Sequence, residues 1–210
     1  MPRTVSARGV TAGFYGKVPA RGDFVRVGLP RDFTDPWDSW LERVIAGSRG
    51  QMGEAWLPAY LESPVWRFML PAGLCGPHAV LGLMLPSVDK AGRYFPITFA
   101  ALSDGVAFDE FDTWLDRAED AGRAALEIDA GPEVLHDMLG SPPMMAGRSA
   151  APSGSLWWTE GSPRVSATRL TLTGLPDAPQ YASMLGAQPD DLSPAPDIQS
   201  GQDLSWEAPA

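Results

Sequence analysis

Two runs of sequence constrain the fold more than anything else in the chain. Residues 79–85 (AVLGLML) and 97–102 (ITFAAL) are apolar at nearly every position. A strand with one wet face alternates apolar and polar residues. A strand apolar throughout is buried on both faces and needs protein packed above and below it. The intervening stretch carries Ser87, Asp89, Lys90, Gly92 and Arg93, so the two runs read as a hairpin with an elaborate polar tip.

The rest of the sequence supplies the material to cover those strands. Pro36, needing no amide donor in a first helical turn, follows the capping candidates Thr34 and Asp35. Trp37, Trp40, Leu41, Val44 and Ile45 then recur at helical spacing, which predicts a helix over 36–47. Further helices are predicted over 52–62, where Pro58 limits or kinks the pattern, and over 109–128, where Phe111, Trp114, Leu115, Ala118, Ala121, Ala125 and Leu126 form an inner stripe. Pro132 and Gly140 bound another at 132–139, a loop of Pro, Met, Gly and Ser follows, and 178–186 can close a last short helix. Trp66, Phe68 and Leu70 alternate with Arg67 and Met69 as in a strand, and 155–160 and 164–173 form a hairpin across Gly161, Ser162 and Pro163. Strands early, in the middle and late, separated by helices, predict an α+β (mixed α/β) domain: one largely antiparallel central sheet flanked by helices. A doubly wound parallel sheet fits less well, because regular alternation and a glycine-rich first turn are missing.

At 210 residues, with 44% hydrophobic and 20% charged, one such domain with a self-sufficient core is expected. Its boundaries read as a flexible N-terminus at 1–12, a folded body at 13–186 and an acidic, proline-rich mobile tail at 187–210, in which Trp206 is an isolated aromatic. No Lys or Arg follows Arg169, whereas Asp177, Asp190, Asp191, Asp197, Asp203 and Glu207 do. The net charge of −10 has the wrong sign for a nucleic-acid partner. Proline and glycine break the longest uncharged apolar stretch, 68–88, and residues 1–12 lack the apolar run of a secretory signal, so neither membrane insertion nor export is expected. With Cys75 as the single cysteine no internal disulfide can form, and the cytoplasm is the expected compartment.

Chemistry-bearing residues are sparse. His78 and His136 are far apart in sequence and suit structural or solvated roles, so no metal site is expected. Cys75 lies between Leu74 and Gly76 with no basic neighbour and reads as a buried, inert thiol. No G-x-S-x-G elbow occurs. The GFYGK run at 13–17 is no phosphate loop, because Thr11 and Val18 stand where that motif requires Gly and Ser or Thr. Adjacent carboxylates such as Glu119 and Asp120 belong to a solvated helix face.

Two segments remain dense in polar and turn-forming residues. In GFYGKVPARGDFVR (13–26), Lys17, Arg21, Asp23 and Arg26 gather around glycines and Pro19. They could face a partner, or Asp23 could accept backbone amide bonds within the turn while Arg21 is solvated. In LMLPSVDKAGRYFPITFA (83–100), the loop at 87–93 could bind, or its polar groups could satisfy one another. If both segments lie at one end of the sheet, Asp23 is expected to pair with Arg93 or Arg21.

At these residues the sequence resembles the type VI secretion-associated TagF family, also called ImpM. The resemblance rests on three blocks in order between residues 12 and 175: GFYGKVPARGDFVRVGLP followed by Trp37 and Trp40, PVWRFMLPAGLCG leading into GLMLPSVDKAGRYFPIT, and SLWWTEG. It implies a cytoplasmic, post-translational negative regulator of the bacterial type VI secretion system. Such a regulator acts by binding the forkhead-associated scaffold protein Fha, without catalysis or cofactor. Some relatives of this family are fused to a protein phosphatase domain that this chain lacks, so any phosphatase function is expected to belong to a separate polypeptide. The interaction candidates are Lys17, Arg21, Asp23, Ser87, Asp89, Arg93 and Tyr94; Trp157 and Trp158 are either further aromatic anchors or part of the core, where most of the eight tryptophans are expected to pack. The alternatives are a structural accessory subunit of the secretion assembly, and a small hydrolase using Ser87, Asp89 and Arg93, which would lack a nearby general base.

Overall fold

The computed structural model describes residues 10–20, 24–103, 111–128, 130–140 and 153–187. Among these residues seven strands form one sheet: β1 (Val10–Lys17), β2 (Phe24–Val27), β3 (Trp66–Leu70), β4 (Ala79–Leu85), β5 (Ile97–Ser103), β6 (Ser155–Gly161) and β7 (Ser166–Leu172). Their order across the sheet is β2-β1-β5-β4-β3-β6-β7, and each neighbouring pair is antiparallel. Among the described residues five α-helices accompany them: α1 (Arg31–Met52), α2 (Trp56–Leu61), α3 (Asp112–Glu127), α4 (Pro132–Leu139) and α5 (Ala178–Met184). The α+β architecture and its single antiparallel sheet are those the sequence predicts.

The two apolar runs are the centre of the sheet, and their side chains divide strictly by parity. Val80, Met84, Ala100 and Leu102 point into one core with residues of α1, α2 and α5, among them Trp37, Trp56 and Tyr181. Leu81, Leu83, Leu85, Ile97, Phe99 and Ala101 point into the opposite core with Trp114, Leu115, Ala118 and Leu135 of α3 and α4. A helical layer on each face explains why β4 and β5 tolerate no polar alternation.

Trp37 is the hub of the first core. Its ring lies 4.6 Å from Trp40, 4.8 Å from Phe68 and 5.6 Å from Phe33, centroid to centroid. Buried indoles need acceptors. Trp37 Nε1 donates to Thr98 Oγ1 at 3.0 Å, Trp40 Nε1 to the Pro176 carbonyl at 2.7 Å and Trp66 Nε1 to the Met184 carbonyl at 3.0 Å. These bonds tie α1 to the sheet and the α5 region to both. On the opposite face Arg67 of β3 reaches Asp116 and Glu119 of α3, each at 2.9 Å, and Glu119 also binds Arg123 at 2.6 Å.

Several elements depart from expectation. Helix α1 starts at Arg31 rather than at Pro36, because burying Phe33 and Thr34 against the core extends the helix past the expected cap. It also runs on to Met52 and stops at Gly53, whose φ of 54° a side chain would resist. A 3-10 turn (Gly53–Ala55) separates α1 from α2, where Pro58 occupies the first turn and loses no bond there. Helix α4 has the expected bounds. Strands β1 and β2 fall in the segment read only as a turn-rich cluster, and β1 begins at Val10, inside the stretch expected to be flexible. The glycines of β1 hide its alternation: Gly13 lets the Val27 carbonyl of β2 approach, and Gly16 (φ 136°) does the same for the Pro96 carbonyl. The tail from residue 188 and most of the loop after Gly140 lie outside the described residues.

Candidate functional site

The site builds up from register. Gly16 of β1 pairs with Ile97, the first residue of β5, so Lys17 is carried just past the start of β5 to the tip of the β4–β5 hairpin. There its Nζ lies 3.2 Å from Asp89 Oδ2, with both side chains almost wholly excluded from water. Arg93 Nε donates to the same oxygen at 2.7 Å. The other oxygen, Oδ1, accepts the backbone N–H groups of Ala91 and Arg93, each at 2.9 Å. Asp89 thus closes its own turn, reinforced by Gly92 N–H donating to its carbonyl at 2.9 Å and by Asp89 N–H donating to the Arg93 carbonyl at 3.1 Å.

Burial works to raise the pKa of Asp89. The bonds from the Arg93 amide, from Lys17 and from the Arg93 guanidinium outweigh it and hold the carboxyl well below the usual carboxylate range. The carboxylate is therefore a fixed negative charge and not a proton carrier near neutrality.

Ser87 belongs to the same assembly through its backbone and hydroxyl. Its Oγ donates to the Lys17 carbonyl at 2.6 Å, which ties the end of β1 to the hairpin. Tyr60 of α2 clamps the Ser87 main chain from below: its hydroxyl donates to the Ser87 carbonyl and accepts the Ser87 N–H, both at 3.0 Å. Tyr94 is half-buried, edge-on to Tyr60 and Trp56 at 5.8 and 6.0 Å. The tip residues Lys90, Ala91, Gly92 and Arg93 are exposed.

An aromatic surface adjoins the tip. Phe24 at the start of β2 is 41% exposed, stacks on Tyr15 at 5.8 Å and meets the edge of Phe95 at 4.8 Å. Lys17 Nζ sits 5.1 Å from the centre of the Phe24 ring. Tyr15 donates to Asp38 Oδ1 at 2.6 Å, anchoring β1 to α1, and burial together with that carboxylate pushes its phenol well above the ordinary range.

Of the seven sequence candidates, five are brought together: Lys17, Ser87, Asp89, Arg93 and Tyr94. Lys17, Ser87 and Asp89 are buried and shape the platform from within, while Arg93 presents its side chain, 53% exposed, at the surface. Arg21 and Asp23 lie outside the described residues, as does any pairing of Asp23 with Arg93 or Arg21. Sequence reasoning missed Tyr60, Phe24 and the Tyr15–Asp38 bond. Trp56 and Tyr60 at i, i+4 on a short helix hinted at the first, and Phe24 stood inside the densest motif without being singled out. Cys75 is buried, its Sγ 3.9 Å from the Phe33 carbonyl, and burial pushes its thiol up to about 12.

Fold and site together define a single-sheet α+β protein that carries, at one end, a charge-locked hairpin tip beside a half-exposed aromatic patch. Residues 13–141 match the TagF N-terminal domain, type VI secretion system-associated, and the chain belongs to the TagF family. It is similar to the crystal structure of PA0076 from Pseudomonas aeruginosa PAO1, with 34% sequence identity and a TM-score of 0.73, over 91% of this chain and 100% of that one. No curated protein matches it.

Proposed function

We propose that the protein is a non-enzymatic, cytoplasmic regulator of type VI secretion, a post-translational repressor that binds the forkhead-associated scaffold protein through the hairpin tip and the Phe24 patch. The observation that carries this reading is the construction of the tip. Four donors hold one buried carboxylate, and the turn they close offers Arg93 and Lys90 to solvent beside the half-exposed Phe24 ring of β2. Pre-ordered arginine and aromatic side chains lose little freedom on docking and are the usual anchors of interfaces.

The hydrolase alternative is disfavoured by the same geometry. Ser87 is 1% exposed with its hydroxyl committed to the Lys17 carbonyl, and Asp89 is saturated with donors.

Overexpression in a bacterium with an active secretion system tests the reading. A repressor silences secretion, and Ala91→Glu at the exposed tip restores it while the protein accumulates normally. Secretion left unchanged by overexpression would instead mark a structural accessory subunit.

A further inference from the structure

The sheet has two edges, and they are built differently. β2 is four residues long and is followed by Gly28, whose φ is 71°. β7 is seven residues long, contains no proline, and is exposed at most positions. Among the described residues no other strand pairs with its outer edge. An exposed edge of that length is a template for another strand unless something blocks or covers it. The one charged residue between Val165 and Gly174 is Arg169.

The faces of β7 differ sharply. Leu170 and Leu172 pack against the core that contains Trp37, and Leu170 lies opposite Trp157 of β6. Arg169 points to the other face, opposite Trp158. A strand added here should therefore be apolar on the first face and acidic on the second.

The chain itself contains that pattern. Asp203-Leu204-Ser205-Trp206-Glu207 alternates with period two, placing Leu204 and Trp206 on one side and Asp203, Ser205 and Glu207 on the other. Setting the apolar side next to Leu170 and Leu172 places the acids beside Arg169, so one orientation satisfies both requirements. Reach is ample. Gly186 lies against Arg164 and Val165, at the turn that opens β7, and the residues from 188 to 202 can span about 50 Å, against about 23 Å for the whole of β7.

We propose that residues 203–207 add to the outer edge of β7 as an eighth strand, covering it by an intramolecular contact. A second copy of the chain is the less suitable occupant, because β7 against β7 would bring Arg169 near its equivalent with no acidic residue on either strand.

Hydrogen exchange of the β7 amides, measured on the full chain and on the full-length Leu204→Asp/Trp206→Asp variant, tests this. The expected result is exchange at 166–172 at least about tenfold faster in the variant, with β4 and β5 unchanged and the chain monomeric throughout. Arg169→Glu should accelerate the same segment. Equal, unprotected exchange in parent and variant would overturn the proposal. So would protection that survives the double substitution and grows with protein concentration, which would identify a second copy as the occupant.

Discussion

At the scale of single residues, Asp89 closes the hairpin tip by gathering four donors on one buried carboxylate. Its depressed pKa makes the sign of its pH effect definite. A carboxyl whose folded pKa lies below the unfolded value, about 3.9, contributes stability that is fully present above that pH and is lost as the pH falls through it toward the folded value. Thermal melts should therefore show a loss of stability below about pH 4, and Asp89→Asn should flatten that part of the profile. The same substitution leaves Lys17 buried without its carboxylate, so at pH 7 its melting temperature should fall below those of both the parent and Lys90→Ala. Equal melting of the three proteins at pH 7 would contradict the network described here.

Among the elements, β1 and α5 carry the sharpest expectations. Gly16→Ala would force a Cβ against the Pro96 carbonyl at a φ of 136°, and should cost roughly 2–4 kcal/mol in a denaturant titration. Asp177 caps α5 by accepting the Gln180 N–H at 2.9 Å, while the Gln180 side chain accepts the Asp177 N–H at 2.9 Å. Asp177→Ala should cost about 1 kcal/mol. These elements also mark what sequence can and cannot convey. Helix α4 was legible because Pro132 and Gly140 punctuate it at both ends, and β4 and β5 because an unbroken apolar run has few other uses. β1 was not legible: its glycines serve neighbouring backbone and erase the alternation that announces a strand. The true start of α1 was hidden for a related reason, since Pro36 imitates a first turn while tertiary burial of Phe33 prolongs the helix.

Across the whole molecule, two helical layers enclose a sheet whose centre excludes water, and Trp157 lies where α1, β3 and β6 meet, 5.0 Å from Phe68 and 5.6 Å from Trp40. Trp157→Ala should destabilise by roughly 3–5 kcal/mol, through lost transfer energy and an unfilled cavity. The candidate site was half legible at this scale. Its residue types stood out in two motifs, but that Lys17 meets Asp89 follows from the β1–β5 register, which local spacing cannot reveal. On the proposed function, the tip from Lys90 to Arg93 is what docks on the scaffold partner. Titration calorimetry of the purified protein with the purified forkhead-associated scaffold tests it most directly. Saturable binding is expected for the parent, with at least about tenfold weaker binding for Ala91→Glu at an unchanged melting temperature. Binding of undiminished strength by that variant, or no binding by the parent, would contradict it.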